Sequence, residues 1–299
     1  METIKQRKFW VEHYNDEKYV AIRSKIKDAF KDLIFDELPH KYYLHGKEIT
    51  CVSNVTHLFV PHFDEDNMAQ ATFERNFNNP KSQYYRMTPT MIKESWKKIS
   101  SDACALGTDR HLFAESLFYF TTGQLDLVPD EFKERIKTDE NGEVIFCAEM
   151  PKEIAAMNFY KDLPDCYIPI LAETKVYDED LNYSGTFDLL MYYDATLNGK
   201  SDNNSGLLVL DWKTNKDLYK NFNGEKMLYP FEDLLNMSLN VYKLQLSLYM
   251  NCIEKIGFKV IDRKLMWLKN DGRYEKIELE EYVDRLVKYL TEHPIKMNN

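Results

Sequence analysis

Nowhere in this 299-residue sequence does an apolar run approach the roughly 18 consecutive residues that a membrane-spanning helix requires. The opening stretch, METIKQRKFWVEHYNDEKYV, has no apolar segment followed by a small-residue cleavage site, so no secretory leader is expected. Cysteine is scarce and follows no pairing pattern. Cys51, Cys104, Cys147, Cys166 and Cys252 are odd in number, scattered, and never arranged as C-x-x-C. They fit neither a disulfide framework nor a zinc or iron–sulfur site built on thiolates, and they point to a reducing, cytoplasmic compartment. No internal repeat and no low-complexity segment is present.

An excess of positive charge is also missing. The chain has 39 Lys and Arg against 49 Asp and Glu, a net charge of -10. That argues against a coat protein held to nucleic acid by a basic surface, but not against an enzyme acting on nucleic acid, whose metal-binding carboxylates add negative charge. Two local basic strips stand out. Lys5 to Lys31 carries eight Lys or Arg against four Asp or Glu, and Lys81 to Ser100 carries Lys81, Arg86, Lys93, Lys97 and Lys98 against Glu94 alone. Such strips are more often solvated helix faces than docking sites. Aromatic residues are plentiful, with 20 Tyr and 17 Phe, and a hydrophobic content of 44% suffices for a sizeable core.

Periodicity predicts a mostly helical first forty residues, then a hairpin over 41–60 turning at Gly46, with a new element near Ser53. Residues 61–82 read as a polar connection, and Thr90 to Thr121 as helical with a break near Gly107. Residues 123–165 carry no clear signal. Strands are expected over Ile168–Tyr177, Ser184–Tyr193 and LLVLDWKT (207–214), followed by a helix over about Phe231–Ile256. A strand over KVIDRKLMWLK, a turn at Asp271–Gly272 and a helix over about Leu279–Leu290 close the chain. The order implies an α/β core with a mixed sheet over residues 90–299, preceded by a mainly helical region over 1–89.

Three polar residues interrupt the apolar strands. In LLVLDWKT, Asp211 and Lys213 end an apolar run and point to one side, with Trp212 to the other. In SGTFDLLMYY, Asp188 lies inside a strand otherwise apolar from Phe187 to Tyr193, where a carboxylate needs a partner or a metal. Two carboxylates brought together repel, and a hard divalent cation such as Mg²⁺ or Mn²⁺ relieves the conflict. A D-x-K pair alone recurs by chance in most proteins and usually marks a surfacing strand. Other candidates widen the pattern: Gln245 and Tyr249 share a helix face, His111 lies early in a helix, and Glu173 precedes the Asp188 strand.

In order along the chain, Gly107-x-x-x-His111, Glu173, Gly185-x-x-Asp188, Asp211-x-Lys213-Thr214 and Gln245-x-x-x-Tyr249 resemble the PD-(D/E)XK nuclease superfamily. The resemblance is closest to its RecB-type branch, which includes phage, bacterial and mitochondrial exonucleases. It covers roughly residues 104–250, with a looser S-V-T-like match at Ser53 and Thr56. Each motif is weak alone and the ordered set is strong. The resemblance implies a restriction-endonuclease-like core, a central mixed β-sheet flanked by helices. It implies one or two Mg²⁺ or Mn²⁺ ions held by His111, Asp188 and Asp211, with the Trp212 carbonyl as a further ligand. Lys213 would be the catalytic lysine, Gln245 and Tyr249 would support it, and Glu173 would assist. The four-cysteine iron–sulfur cluster of some relatives has no counterpart here.

The activity this implies is metal-dependent hydrolysis of DNA, with single-stranded DNA as partner and a helicase or recombination enzyme as a candidate second partner. The 1–89 region would cover the cleft. Attack at strand ends is preferred on the strength of the resemblance. The alternatives are a structure-specific endonuclease and a catalytically silent DNA- or partner-binding module.

Overall fold

The computed structural model describes residues 2–295. The chain begins with strand β1 (Glu2–Lys5) and helices α1 (Lys8–His13) and α2 (Glu17–Ala29). A three-stranded meander follows, β2 (Leu33–Asp36), β3 (Lys41–Leu44) and β4 (Lys47–Cys51), leading into α3 (Val52–His57). Then come α4 (Glu65–Asn76), α5 (Pro89–Thr121), α6 (Asp130–Lys133), β5 (Ile136–Thr138), β6 (Val144–Ala148) and α7 (Pro151–Asp162). The last third holds β7 (Tyr167–Asp178), β8 (Tyr183–Tyr193), β9 (Gly206–Lys213), α8 (Ser238–Lys255), β10 (Val260–Leu268), β11 (Tyr274–Glu278) and α9 (Val283–Glu292). This is an α/β protein with a mixed sheet flanked by helices.

Two compact units form, one of residues 1–60 with 111–299, the other of residues 61–110. The division expected at 89/90 therefore differs from the units observed. The reason is the β2–β4 meander, which joins the main sheet when β4 pairs in parallel with β8 at Thr50 and Cys51. The sheet order is β11-β10-β9-β8-β4-β3-β2, with β7 also on β8, while β1, β6 and β5 make a separate three-stranded sheet. Among the described residues, no helix is long and apolar enough to cross a membrane.

The smaller unit corrects two expectations. The acidic run at 64–67 is not a connection but a helix start: the Asp64 carboxylate caps α4 by accepting the Asn67 N–H at 3.0 Å. Gly107 does not break α5, which runs unbroken from Pro89 to Thr121; a single glycine costs a long helix only about 1 kcal/mol. Within this unit Trp96 contacts the Phe63 ring and donates its indole N–H to the Tyr84 hydroxyl at 3.0 Å.

In the larger unit β1 and β2 flank the helices expected over the first forty residues. The helix expected from Phe231 begins at Ser238, and β11 precedes the last helix, which runs Val283–Glu292. The predicted strands appear as β7–β10, and β9 is buried along its length until Lys213.

The feature that positions a site is a fork in the sheet. One edge of β8 pairs with β7 throughout. On the other edge β4 takes Tyr183 and Ser184, and β9 takes Leu189 to Tyr193. Between them, among the described residues, Gly185 to Asp188 face no strand on that edge. Here the α8 side chain Tyr249 closes in. A Cβ on Gly185 would stand 2.8 Å from its ring, so only glycine fits. Gly185→Ala is expected to destabilise the fold by about 1–3 kcal/mol, the cost of overpacking, as measured by chemical denaturation. Shortening the facing ring in Gly185→Ala/Tyr249→Leu should recover part of that loss. An unchanged midpoint for the single variant would refute the close contact.

Candidate metal centre at the sheet fork

Beyond the Leu189–Leu210 pair, β9 no longer follows β8. The Trp212 N–H turns to a side chain instead and donates to Asp188 Oδ2 at 2.5 Å. The other oxygen, Oδ1, lies 3.1 Å from His111 Nδ1 on α5. Asp188 is thus buried and held from two elements. From β7 comes Glu173, which lies between the residues pairing with Phe187 and Leu189 and so stands across from Asp188. Its φ of 45° is unusual for a side-chain-bearing residue inside a strand, and such local strain concentrates at functional sites. His111, Glu173 and Asp188 each offer a ligand atom, all within 4.8 Å of one another.

Asp211 and Lys213 sit beside this trio as a buried ion pair. The Lys213 ammonium also lies 4.3 Å from the centre of the Tyr242 ring on α8. Trp212 sends its indole into the core, 5.0 Å from Phe159 and 6.2 Å from Tyr160 of α7. Gln245 donates to the Tyr249 hydroxyl at 3.0 Å, which ties the two α8 residues to each other.

Sequence reasoning placed Glu173 at the margin, whereas its carboxylate is a member of the converging trio, and Asp211 is the acid engaged by lysine. It missed two residues. Glu115, one helical turn beyond His111 on α5, accepts the Tyr119 hydroxyl at 3.1 Å, and its carboxyl is raised by burial. The signal was the His111–Glu115 spacing of four. Tyr242, under Lys213, follows the same rule from Gln245, three residues away, but an aromatic on a helix face carries no chemistry visible in sequence.

The electrostatics follow from three acids sharing two cations. Burial works against the charge on Asp188, but His111, Lys213 and the Trp212 N–H outweigh it and hold the carboxyl below its ordinary range. Burial and the charge on Asp188 push Glu173 well above its ordinary value. Burial and Asp188 together raise Asp211 to about 6, against the pull of Lys213. Burial would lower His111, yet its contact with Asp188 brings it up to about 9. Lys213 is raised by Asp211 and Asp188 despite burial and stays a cation at any physiological pH.

Two carboxylates and an imidazole make a donor set suited to a hard or borderline divalent cation. The upward shift of Glu173 is what a carboxyl shows when negative charge exceeds the cations around it. A metal competes with protons at Glu173 and His111, which gives a sign for the pH dependence. The folded-state value of His111 lies above its ordinary 6.5, so its contribution to stability is full below pH 6.5 and lost as pH rises through about 9. Glu173, an acid raised above its ordinary 4.5, also costs the metal-free fold stability as pH rises. The Tm increase on adding Mn²⁺ is therefore expected to grow between pH 6.5 and 9, and less steeply in His111→Asn. A flat Mn²⁺ effect across that range would contradict binding at this trio.

No protein-family model matches this chain, and no curated protein gives a significant match to it.

Proposed function

We propose that this protein is a metal-dependent deoxyribonuclease of the PD-(D/E)XK type that acts preferentially on the ends of single-stranded DNA. The observation that carries the reading is the convergence, at one fork in a mixed sheet, of a His111–Glu173–Asp188 trio with a buried Asp211–Lys213 pair. Mg²⁺ or Mn²⁺ held there would polarise a phosphodiester and lower the pKa of a water. In this reading His111, Glu173 and Asp188 would hold it.

The remaining roles belong to the chain itself. Lys213 is already protonated, so its part would be electrostatic: its ammonium would offset the charge that builds on phosphate oxygens in the transition state. Asp211 fixes the ammonium by ion pairing, and the Tyr242 ring supports it from the α8 side. Asp188 orients the imidazole of His111 and is itself fixed by the Trp212 N–H. Tyr249, bonded by Gln245, packs its ring against Gly185 in the fork.

End preference comes from the family resemblance, and a topological substrate tests it. A labelled linear single strand should be degraded with Mn²⁺ present while a circular strand of the same sequence survives. Rapid cutting of the circle would replace the exonuclease reading by the endonuclease one.

A further inference from the structure

The basic strip over Lys5 to Lys31 is not one surface in the folded protein. Lys5 pairs with Glu143, Arg7 with Asp165, Lys8 with Glu12, and Lys18 with Asp194 and Asp202. Arg23 is buried with its guanidinium 3.8 Å from the Tyr14 ring. What remains of the strip on the far part of α2 includes Lys27 and, just after the helix, Lys31. Both line a cavity of about 360 Å³, and Lys175 of β7 lines it too. None of these three lysines is in an ion pair with a described residue. In a chain of net charge -10, three ammonium groups without an ion-pair partner among the described residues, all lining one cavity, favour an anion there.

The rest of the lining says which kind of anion. Glu173 of the metal trio forms part of the wall, so the cavity adjoins the candidate centre through that residue. Tyr14, Phe30 and Tyr119 are among the lining residues, Tyr119 the more exposed of the three, and the volume lies within the range of about 300–1,000 Å³ usual for small-molecule sites. An inorganic anion would use the lysines and leave the aromatic wall unexplained. A planar heterocycle carrying a phosphate uses both.

We propose that the cavity beside Glu173 binds one nucleotide unit of a DNA strand, with its phosphate against Lys27, Lys31 and Lys175 and its base against the aromatic wall. The choice of a nucleotide among phosphate-bearing ligands rests on the nuclease reading. The cavity would hold the nucleotide neighbouring the scissile bond, so that binding at the lysines positions the strand for attack at the trio.

The test uses the full chain, with thymidine monophosphate, thymidine and inorganic phosphate each titrated by calorimetry in the absence of divalent metal. Thymidine monophosphate is expected to bind, with thymidine and phosphate each about tenfold weaker, because either loses the aromatic or the ionic half of the contact. In Lys27→Ala/Lys31→Ala/Lys175→Ala the affinity for the monophosphate should fall about tenfold, since each exposed ionic contact contributes modestly. The melting temperature should hold. No binding of the monophosphate, equal binding in the triple variant, or phosphate binding as tightly as the nucleotide would each overturn the proposal. Lysine-dependent nucleotide binding by a chain that cuts no DNA would leave the cavity standing and remove the nuclease reading. DNA cleavage with nucleotide binding indifferent to the lysines would do the reverse.

Discussion

Asp188→Asn is expected to slow Mn²⁺-dependent hydrolysis of a linear single strand by at least about 10²- to 10³-fold, the range seen when one preorganised electrostatic group is removed. The substitution keeps the shape and leaves an oxygen to accept the Trp212 N–H, so the fork in the sheet should persist. What it removes is charge. His111 loses the carboxylate that raises it to about 9, and the trio keeps one carboxyl instead of two. Two readouts separate this from simple damage to the fold. The His111 imidazole, followed by NMR, should titrate well below its wild-type position, and the Tm increase on adding Mn²⁺ should shrink. A variant with wild-type turnover would show that the reaction does not occur at this site.

Lys213→Met should be comparably inactive, by about 10²- to 10³-fold, but for a different reason and with a different stability signature. Among the described residues its ammonium is the one cation in salt-bridge contact with Asp211, which is buried. Removing one member of a buried pair costs about 3–5 kcal/mol when the other stays charged. Asp211 has an escape, because burial and Asp188 already raise it to about 6 even with lysine beside it. Without Lys213 its pKa should rise further, so it should take up a proton more readily near neutral pH, and the stability cost should fall as pH drops. The double variant Lys213→Met/Asp211→Asn removes both charges, so it should be more stable than the single variant at pH 8 and no more active. Recovery of activity together with stability would mean that Lys213 serves the fold rather than the chemistry.

How much of this was legible in the sequence depends on the range of the interactions involved. The runs at 184–193 and 207–213 announce β8 and β9 because burial on both faces demands unbroken apolar residues, and the polar interruptions at Asp188, Asp211 and Lys213 mark the site for the same reason. The α4 helix was missed because an acidic, asparagine-rich stretch suits both a loop and a capped helix start, and only the Asp64–Asn67 bond distinguishes them. The fork could not be read at all. It arises because β4 and β9, about 160 residues apart in sequence, share one edge of β8, and no local pattern encodes such a meeting. The prominence of Glu173 depends on the β7–β8 register and on a backbone turned to φ 45° at that residue. Neither is a property of the stretch LAETKVY. The role of Gly185 was visible only as a motif position, whereas its physical cause is the Tyr249 ring from α8.

The proposed activity is metal-dependent DNA hydrolysis at the trio and the Asp211–Lys213 pair. Its most direct test is a single assay on the purified chain, with an end-labelled linear single strand incubated with Mg²⁺, with Mn²⁺, and with excess chelator, alongside Asp188→Asn. The expected result is release of short labelled products by the wild-type chain with either metal, none with chelator, and turnover reduced by at least about 10²-fold in the variant. Products that persist in chelator, or that the variant releases at the wild-type rate, would contradict the account.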